Sequence, residues 1–434
     1  MINRTVKCKV ITPMFSRGAQ PARNGVYPFE LRPQSVKGVL RFWFRALAPL
    51  VIDVNYLDVN KLAPKEREIW KDEKSYPGLK YLESLLFGSQ HQESPFALSV
   101  DWNIRDEKAV GRYEHNRKGR LAFAADGELD KLKYSFYGTY DIKEENGDRR
   151  FMYSYLPSDS ELTLEFFVRN KKDKQIKDDE ILEVLLSILH LVSTFSGFGA
   201  KTHKGYGAFE LIEPAMNRDP QKFGSIVEKA ESALKKFITS HPEISKLFKI
   251  EPTKFQTIPD FPNFAARTIF IIPSIRGRNW SEVMRQMYFT SRDDKGWYPK
   301  LKNQLRKYNG DVVKDLIKSM NSNRGSVVVK PSILGLPLQY QRLQTEKRNK
   351  ITFFAHVETE DKNRGRKGSP LHISIHKDQN GWYPVLLLLK SKITQPVNSK
   401  LLLEKDYGRF EALGYDNFET LETLIKKSGG VRDD

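Results

Sequence analysis

Lys37, Arg41 and Arg45 stand four residues apart in a stretch, from Leu31 to Ile52, that holds no acidic residue. On a helix starting near Ser35 this interval stacks the three cations on one face. Val36, Val39, Leu40, Trp43 and Leu47 fall on the opposite side, which would bury against a core. Arg32 stands just before that helix, and Gly38 leaves a notch beside the stripe where another backbone could come close. Ordinary solvated faces mix both signs of charge, and this one does not. An acid-free cationic face suits a polyanion.

The second chemical motif is GFGAKTHKGYGAFEL, from Gly197 to Leu211. Gly197, Gly199, Gly205 and Gly207 surround Lys201, His203 and Lys204 between a helix pattern and a strand pattern. Glycines let a ligand approach the backbone, and their N–H groups with two lysines would cradle phosphate as a nest does. Neither the Walker nor the Rossmann spacing is present. The bland reading is a helix cap running into a turn. Phe198 and Tyr206 offer faces on which bases stack. His203 is the one candidate for a general acid or base, which would make the protein a metal-independent endoribonuclease. Further cations gather at Arg276 and Arg278 and along Arg364, Arg366 and Lys367.

Other constellations are weaker. His372 and His376 share a strand face but have no third ligand, so neither a metal site nor any cofactor is expected. Asp178 to Glu180 read as helix N-terminal charges favoured by the dipole, and Asp293 and Asp294 as a turn.

The chain has 434 residues, with 72 Lys plus Arg against 54 Asp plus Glu and a formal net charge of +18. That excess points to nucleic acid or an anionic surface. There is no stretch of about 18 apolar residues to span a bilayer, and no amphipathic helix with a basic rim and a large apolar face. The N-terminus, MINRTVKCKVITP, has no apolar signal block. Cys8, the lone cysteine, excludes an internal disulfide and fits a reducing, cytoplasmic compartment.

The elements that must position these residues follow a strand–helix grammar. Val6, Cys8 and Val10 alternate as a first strand, and Pro13 to Pro28 reads as a flexible basic connector. After the stripe helix come strand candidates at Phe96–Val100, Leu121–Ala125, Lys133–Tyr140 and Leu162–Val168. A helix from Asp178 through Val192 ends at Gly197, and Ala208–Ile212 is a strand. Asp219 and Pro220 would open a further helix that keeps Phe223, Val227, Ala230, Leu234 and Phe237 on one side. Beyond it, Thr268–Ile272, Ile351–Val357, Leu371–Ile375 and Val385–Leu389 read as strands. Basic helical segments lie near 281–320, and a closing helix runs through Phe418, Leu421, Leu424 and Ile425 to Gly429 and Gly430. The fold class is therefore α+β, with tandem ferredoxin-like (RRM-like) domains, insertions and a helical linker. The expected divisions are 1–215, a linker over 216–262, and 263–434.

A helix, glycine-rich loop and strand closing such a domain resembles the RAMP superfamily of CRISPR-associated RNA-binding proteins. ELRPQSVKGVLRFWFRAL (Glu30 to Leu47), with its E-x-R-x-x-S-x-K-G-x-L-R-x-W-x-R-A pattern, is similar to the family of first subunits of the Cmr complex. ESLLFGS (Glu83 to Ser89), GLPLQY (Gly335 to Tyr340) and RKGSPLHISIH (Arg366 to His376) are similar to other motifs of that family. The resemblance implies a non-catalytic subunit of a type III-B effector that contacts single-stranded RNA, either CRISPR RNA or target RNA, alongside the other Cmr subunits. Lys37, Arg41, Arg45 and the Gly197–Gly207 loop would then line the RNA cleft. It assigns no role to the insertions at about 50–80 and 103–160.

Overall fold

Alternation in the first nine residues has a direct structural consequence. In the computed structural model, β1 (Ile2–Val10) buries Val6, Cys8 and Val10 and turns its charged residues outward. The structure describes all residues except 116, 118–120, 142–150, 170–175, 219–221, 292–293, 313, 316–326, 337, 345–349, 359–363, 366, 393–400, 406–407 and 434.

Downstream of β1 come α1 (Pro33–Leu47), α2 (Pro77–Phe87), β2 (Phe96–Trp102), β3 (Glu161–Val168), α3 (Asp178–Phe195) and β4 (Phe209–Glu213). Their sheet runs β4-β1-β3-β2, with Ala215–Met216 added outside β4, and every pairing in it is antiparallel. The register sets Cys8 opposite Leu162 on one side and Leu211 on the other. Acids open α3 as its dipole favours: Asp178, Asp179 and Glu180 fill the first turn, and the Glu180 carboxylate accepts from the Lys177 N–H at 3.2 Å.

The second sheet repeats this order. β5 (Arg267–Ile271) precedes α5 (Trp280–Tyr288) and α6 (Trp297–Lys307). Then follow β6 (Leu371–Asp378), β7 (Gly381–Leu389), α7 (Phe418–Lys427) and β8 (Val431–Arg432). The strands lie as β8-β5-β7-β6, again antiparallel. Asn417 caps α7 by accepting from the Thr420 N–H at 2.9 Å. At the other end the Gly430 N–H donates to Ile425 O at 2.9 Å, with Gly429 at φ +91°. A separate sheet joins Val327–Val328, Leu338–Gln344, Lys350–Glu358, Arg364–Gly365, Leu401–Lys405 and Gly408–Leu413.

The apolar run of β7 explains how the layers stack. Val385, Leu387 and Leu389 belong to the same core as Val6, Trp43, Leu189 and Phe195, whereas Leu386 and Leu388 join Met284, Leu301 and Leu421. α1 and α3 therefore cover one face of this sheet, and α5, α6 and α7 the other. A strand buried on both faces has no polar side to show.

Two local readings are corrected. The Pro13 to Pro28 connector is not free: Met14–Phe15 and Val26–Tyr27 both pair with Phe151–Leu156, and the Arg17 guanidinium lies 4.5 Å from the Tyr27 ring centroid. Lys133–Phe136 is a helical turn, not a strand, because Ser135 and Thr139 hydroxyls donate to Leu132 O and Phe136 O while Phe136 buries among Phe15, Phe123 and Tyr206. The proposed caps Asp219 and Pro220 lie outside the described residues. The helix itself, α4 (Gly224–Thr239), buries Val227, Ala230, Leu234 and Phe237 in the first core. Lys236 ties it to α3 through Glu183 at 3.0 Å, and just beyond its end His241 stands 3.0 Å from Glu180.

Candidate nucleic-acid interface

The stripe of α1 exists, yet it is not an acid-free face. Helix α2 lays Glu83, 7 % exposed, against it. Arg45 donates from Nη2 to Glu83 Oε1 at 2.8 Å and pairs through Nε with Oε2, while Arg41 Nε stands 3.2 Å from Oε1. Arg41 also donates to Phe87 O and Gly88 O at 3.2 and 3.1 Å. Lys37 donates to Ser94 Oγ at 2.6 Å and stands 4.5 Å from the Phe96 ring centroid. Burial, followed by the nearby Arg41, pushes the Lys37 ammonium down to about 8. Charge along α1 could not disclose a counter-ion supplied by a different helix. A signal did exist: Glu83 is the sole acid in PGLKYLESLLF, and an acid in an apolar helix needs a cation. Gly38 has open space where a side chain would stand, and Arg32 is exposed at the helix N-cap.

The glycine-rich loop is shaped by the protein's own backbone. A Cβ on Gly199, at φ +87°, would sit 2.2 Å from Phe15 O; one on Gly207, at φ +70°, would sit 2.0 Å from Phe198 O. Gly197 faces Gly207 in the same tight crossing, and Gly205 packs against Ile375 of β6. These glycines make room for neighbouring chain, which corrects the expectation that they clear a path for a ligand. Thr12 fastens the loop by donating to Gly205 O at 2.7 Å. The faces of Phe198 and Tyr206 are equally unavailable: Phe198 stacks on Phe209, and buried Tyr206 hydrogen-bonds Ser135 Oγ at 2.6 Å.

His203 occupies the seam between the two sheets. Its ring packs against that of His372, with centroids 4.1 Å apart and planes inclined by 40°. Desolvation holds His203 down to about 4 against a backbone hydrogen bond with Ser369, and it holds His372 well below its usual range, with the neighbouring His203 adding to the effect. Both imidazoles are therefore neutral at pH 7. His376 is committed elsewhere, at 2.8 Å from Thr194 O and 2.9 Å from Ser374 Oγ. Among the described residues no group of three or more His, Cys, Asp or Glu side chains could hold a metal ion.

The remaining arginines are placed less favourably. Arg276 is held by both carboxylate oxygens of Asp378 at 2.8 Å, and Arg278 by Glu282 at 3.0 Å. The Lys367 backbone pairs with Leu336, and burial lowers its ammonium. Arg364 pairs with Glu358 through the backbone, and Arg366 lies outside the described residues.

What the structure does bring to the loop is α6. Lys204 Nζ stands 5.4 Å from the Tyr134 ring centroid, and desolvation, then Lys201, then Lys302 push it down to about 7. Lys302 and Arg306, four residues apart on one face of α6, line a cavity of about 270 Å³ with Tyr134 and Lys295. No acidic side chain lines it among the described residues. The partners of the α1 stripe come instead from residues 83–96. The signal for Lys302 and Arg306 was present in the basic pattern near 281–320, but the stripe at Lys37 outshone it.

The two strand orders and the loop that closes the first of them agree with the outcome of comparison: residues 7–210 match the model of the RAMP superfamily. The matched residues take in the end of β1, α1, the glycine-rich loop and the start of β4. No curated protein matches the chain by sequence. Among solved structures, the chain is similar to apo Cmr1 from Pyrococcus furiosus, at 14% identity and a TM-score of 0.46, covering 100% of this chain and 98% of that one. It is similar to a chain of the type III-B Cmr-beta complex bound to cognate target RNA and AMPPnP, at 14% identity and a TM-score of 0.47, covering 98% of each. Cmr6 from Pyrococcus furiosus matches at 15% identity and a TM-score of 0.24, over 48% of this chain and 97% of that one.

Proposed function

We propose that this protein is a non-catalytic, RNA-binding subunit of a type III-B CRISPR effector, built from tandem ferredoxin-like units. The observation that carries the reading is the nearness of Lys204 to Lys302, beside a cavity that Lys302 and Arg306 line and that no acidic side chain lines among the described residues. Unneutralised, partly desolvated cations are costly unless an anion completes them. The net charge of +18, the match to the RAMP superfamily and the first-helix motif point the same way. The repeated strand order, with the first strand of each unit between its fourth and third, supports the tandem architecture. The partners in this reading are single-stranded CRISPR RNA or target RNA and the other Cmr subunits, in the cytoplasm; no described helix is long and apolar enough to cross a membrane.

The state of His203 supports binding rather than cleavage. A general base works best with a pKa near the working pH, and this imidazole, about 4, is far from it. Crosslinking of the purified protein to labelled single-stranded RNA, with peptide mapping and a parallel incubation in EDTA, tests the proposal. The expected result is crosslinks in Lys201–Lys204 and Trp297–Lys307 with the RNA intact. Cleavage that disappears in His203→Ala with binding retained would establish the endoribonuclease reading instead.

A further inference from the structure

The cavity between the loop and α6 is more specific than a surface track for a polyanion. Its walls are Tyr134 from the inserted segment, Pro331, and Pro299, Lys302 and Arg306 from α6, with Lys295 at the rim. Pro299 and Pro331 are buried and rigid, whereas Tyr134, Lys302 and Arg306 are half-buried. Arg306 Nε is buried with no hydrogen-bond partner. Lys204 Nζ stands 5.4 Å from the Tyr134 ring centroid and feels the charge of Lys302, so a further cation lies beside the cavity. A phosphodiester carries one negative charge, and a single exposed lysine matches it. Lys302, Arg306 and Lys295 along the cavity, with Lys204 beside it, match an anion of higher charge, and a phosphomonoester carries about −1.5 to −2 at neutral pH. Guanidinium and ammonium groups bond such an oxygen-rich group from several directions.

We propose that the Tyr134–Lys302–Arg306 cavity is a phosphomonoester site that receives the terminal phosphate of an RNA strand. Resting on the RNA-binding reading above, it adds that the protein holds an end of the strand. Lys302 and Arg306 grip the phosphate oxygens, Lys204 stabilises it electrostatically, and Tyr134 closes the pocket against the terminal nucleotide. Burial of Lys302 and Lys204, which lowers both ammonium groups, is relieved when the dianion arrives.

Two measurements on the full chain decide the matter. Binding is compared for one short oligoribonucleotide carrying a 5′-phosphate, a 3′-phosphate or hydroxyls at both ends. Thermal stabilisation by inorganic phosphate is measured beside chloride at matched ionic strength. One phosphorylated end should bind on the order of tenfold tighter than the hydroxyl form, and Lys302→Gln and Arg306→Gln should each abolish that preference, so that the variants bind all three RNAs alike. Phosphate should raise the melting temperature of the wild type and not of either variant. Equal binding of all three RNAs would overturn the terminal-phosphate site and leave the RNA-binding reading standing. If no RNA binds, that reading falls, and absence of stabilisation by phosphate then overturns the site as well. Tyr134→Phe keeps the packing, so a retained end preference in it alongside loss in Lys302→Gln assigns the grip to the cations.

Discussion

The rings of His203 and His372 pack with centroids 4.1 Å apart and planes inclined by 40°, which clamps the glycine-rich loop of the first unit onto β6 of the second. Both Nδ1 and Nε2 of His372 are buried without a hydrogen-bond partner, and Phe42 and Trp43 of α1 contact its ring. One imidazole pair therefore ties together the loop, α1 and the second sheet.

Acid should loosen that clamp. Folded His203 and His372 titrate below the unfolded value of about 6.5, so the unfolded chain takes up protons first as the pH falls. The stability they preserve is complete above about pH 6.5 and is lost as the pH falls toward 4. Melting curves between pH 7.5 and 4.5 should show this decline. His372→Phe, which removes two orphaned nitrogens and keeps an aromatic ring, should flatten it and raise stability at pH 7 by about 1 kcal/mol. A lower melting temperature in His372→Phe would mean the imidazole has a polar task.

Glu83 carries the charge balance of α1. Glu83→Gln leaves Arg41 and Arg45 without their counter-ion and should destabilise the fold by about 1–2 kcal/mol, less than a fully buried pair because both guanidiniums remain partly exposed. The released cations should also strengthen non-specific RNA binding and steepen its salt dependence by about 0.7 in log–log slope per added phosphate contact. Urea melts and salt titrations give the two readouts. Unchanged RNA affinity at reduced stability would confine Arg41 and Arg45 to holding α2 in place.

Loop glycines should act on folding before they act on RNA. Gly199→Ala and Gly207→Ala each combine a positive φ with a Cβ inside 2.3 Å of a carbonyl oxygen, at 2.2 and 2.0 Å. Each should cost on the order of 1–3 kcal/mol. A normal melting temperature with lost RNA binding would show that the loop has room and that the glycines serve a ligand.

Gly38 offers the opposite case. It is exposed inside α1 with nothing within 4 Å of a built Cβ. Gly38→Ala should therefore stabilise the protein by roughly 0.5–1 kcal/mol. Its RNA affinity should match the wild type, because the proposed contact lies at Lys204 and α6. A stabilised variant that binds RNA more weakly would place a ligand in the notch.

Local periodicity carried much of the fold in the sequence. Val6, Cys8 and Val10 specified β1, the acids at Asp178–Glu180 marked the start of α3, and the run Val385–Leu389 signalled a strand. Such patterns are written by the nearest neighbours in the chain, which is why they are readable without a structure. The helix through Lys37, Arg41 and Arg45 was equally legible, spacing included.

What those cations face was not. Glu83 reaches them from 38 and 42 residues away, and Lys302 reaches Lys204 from nearly a hundred; neither relation leaves a mark in local spacing. The glycines of the loop were legible as a need for space, but the claimant of that space, Phe15 O or Phe198 O, was fixed only when the chain folded back on itself. Charge and shape in a sequence state what each residue offers. Long-range packing decides which offers are cancelled by a neighbour, as at Arg45, and which remain open, as at Arg306, because electrostatic and steric forces act through space and not along the chain.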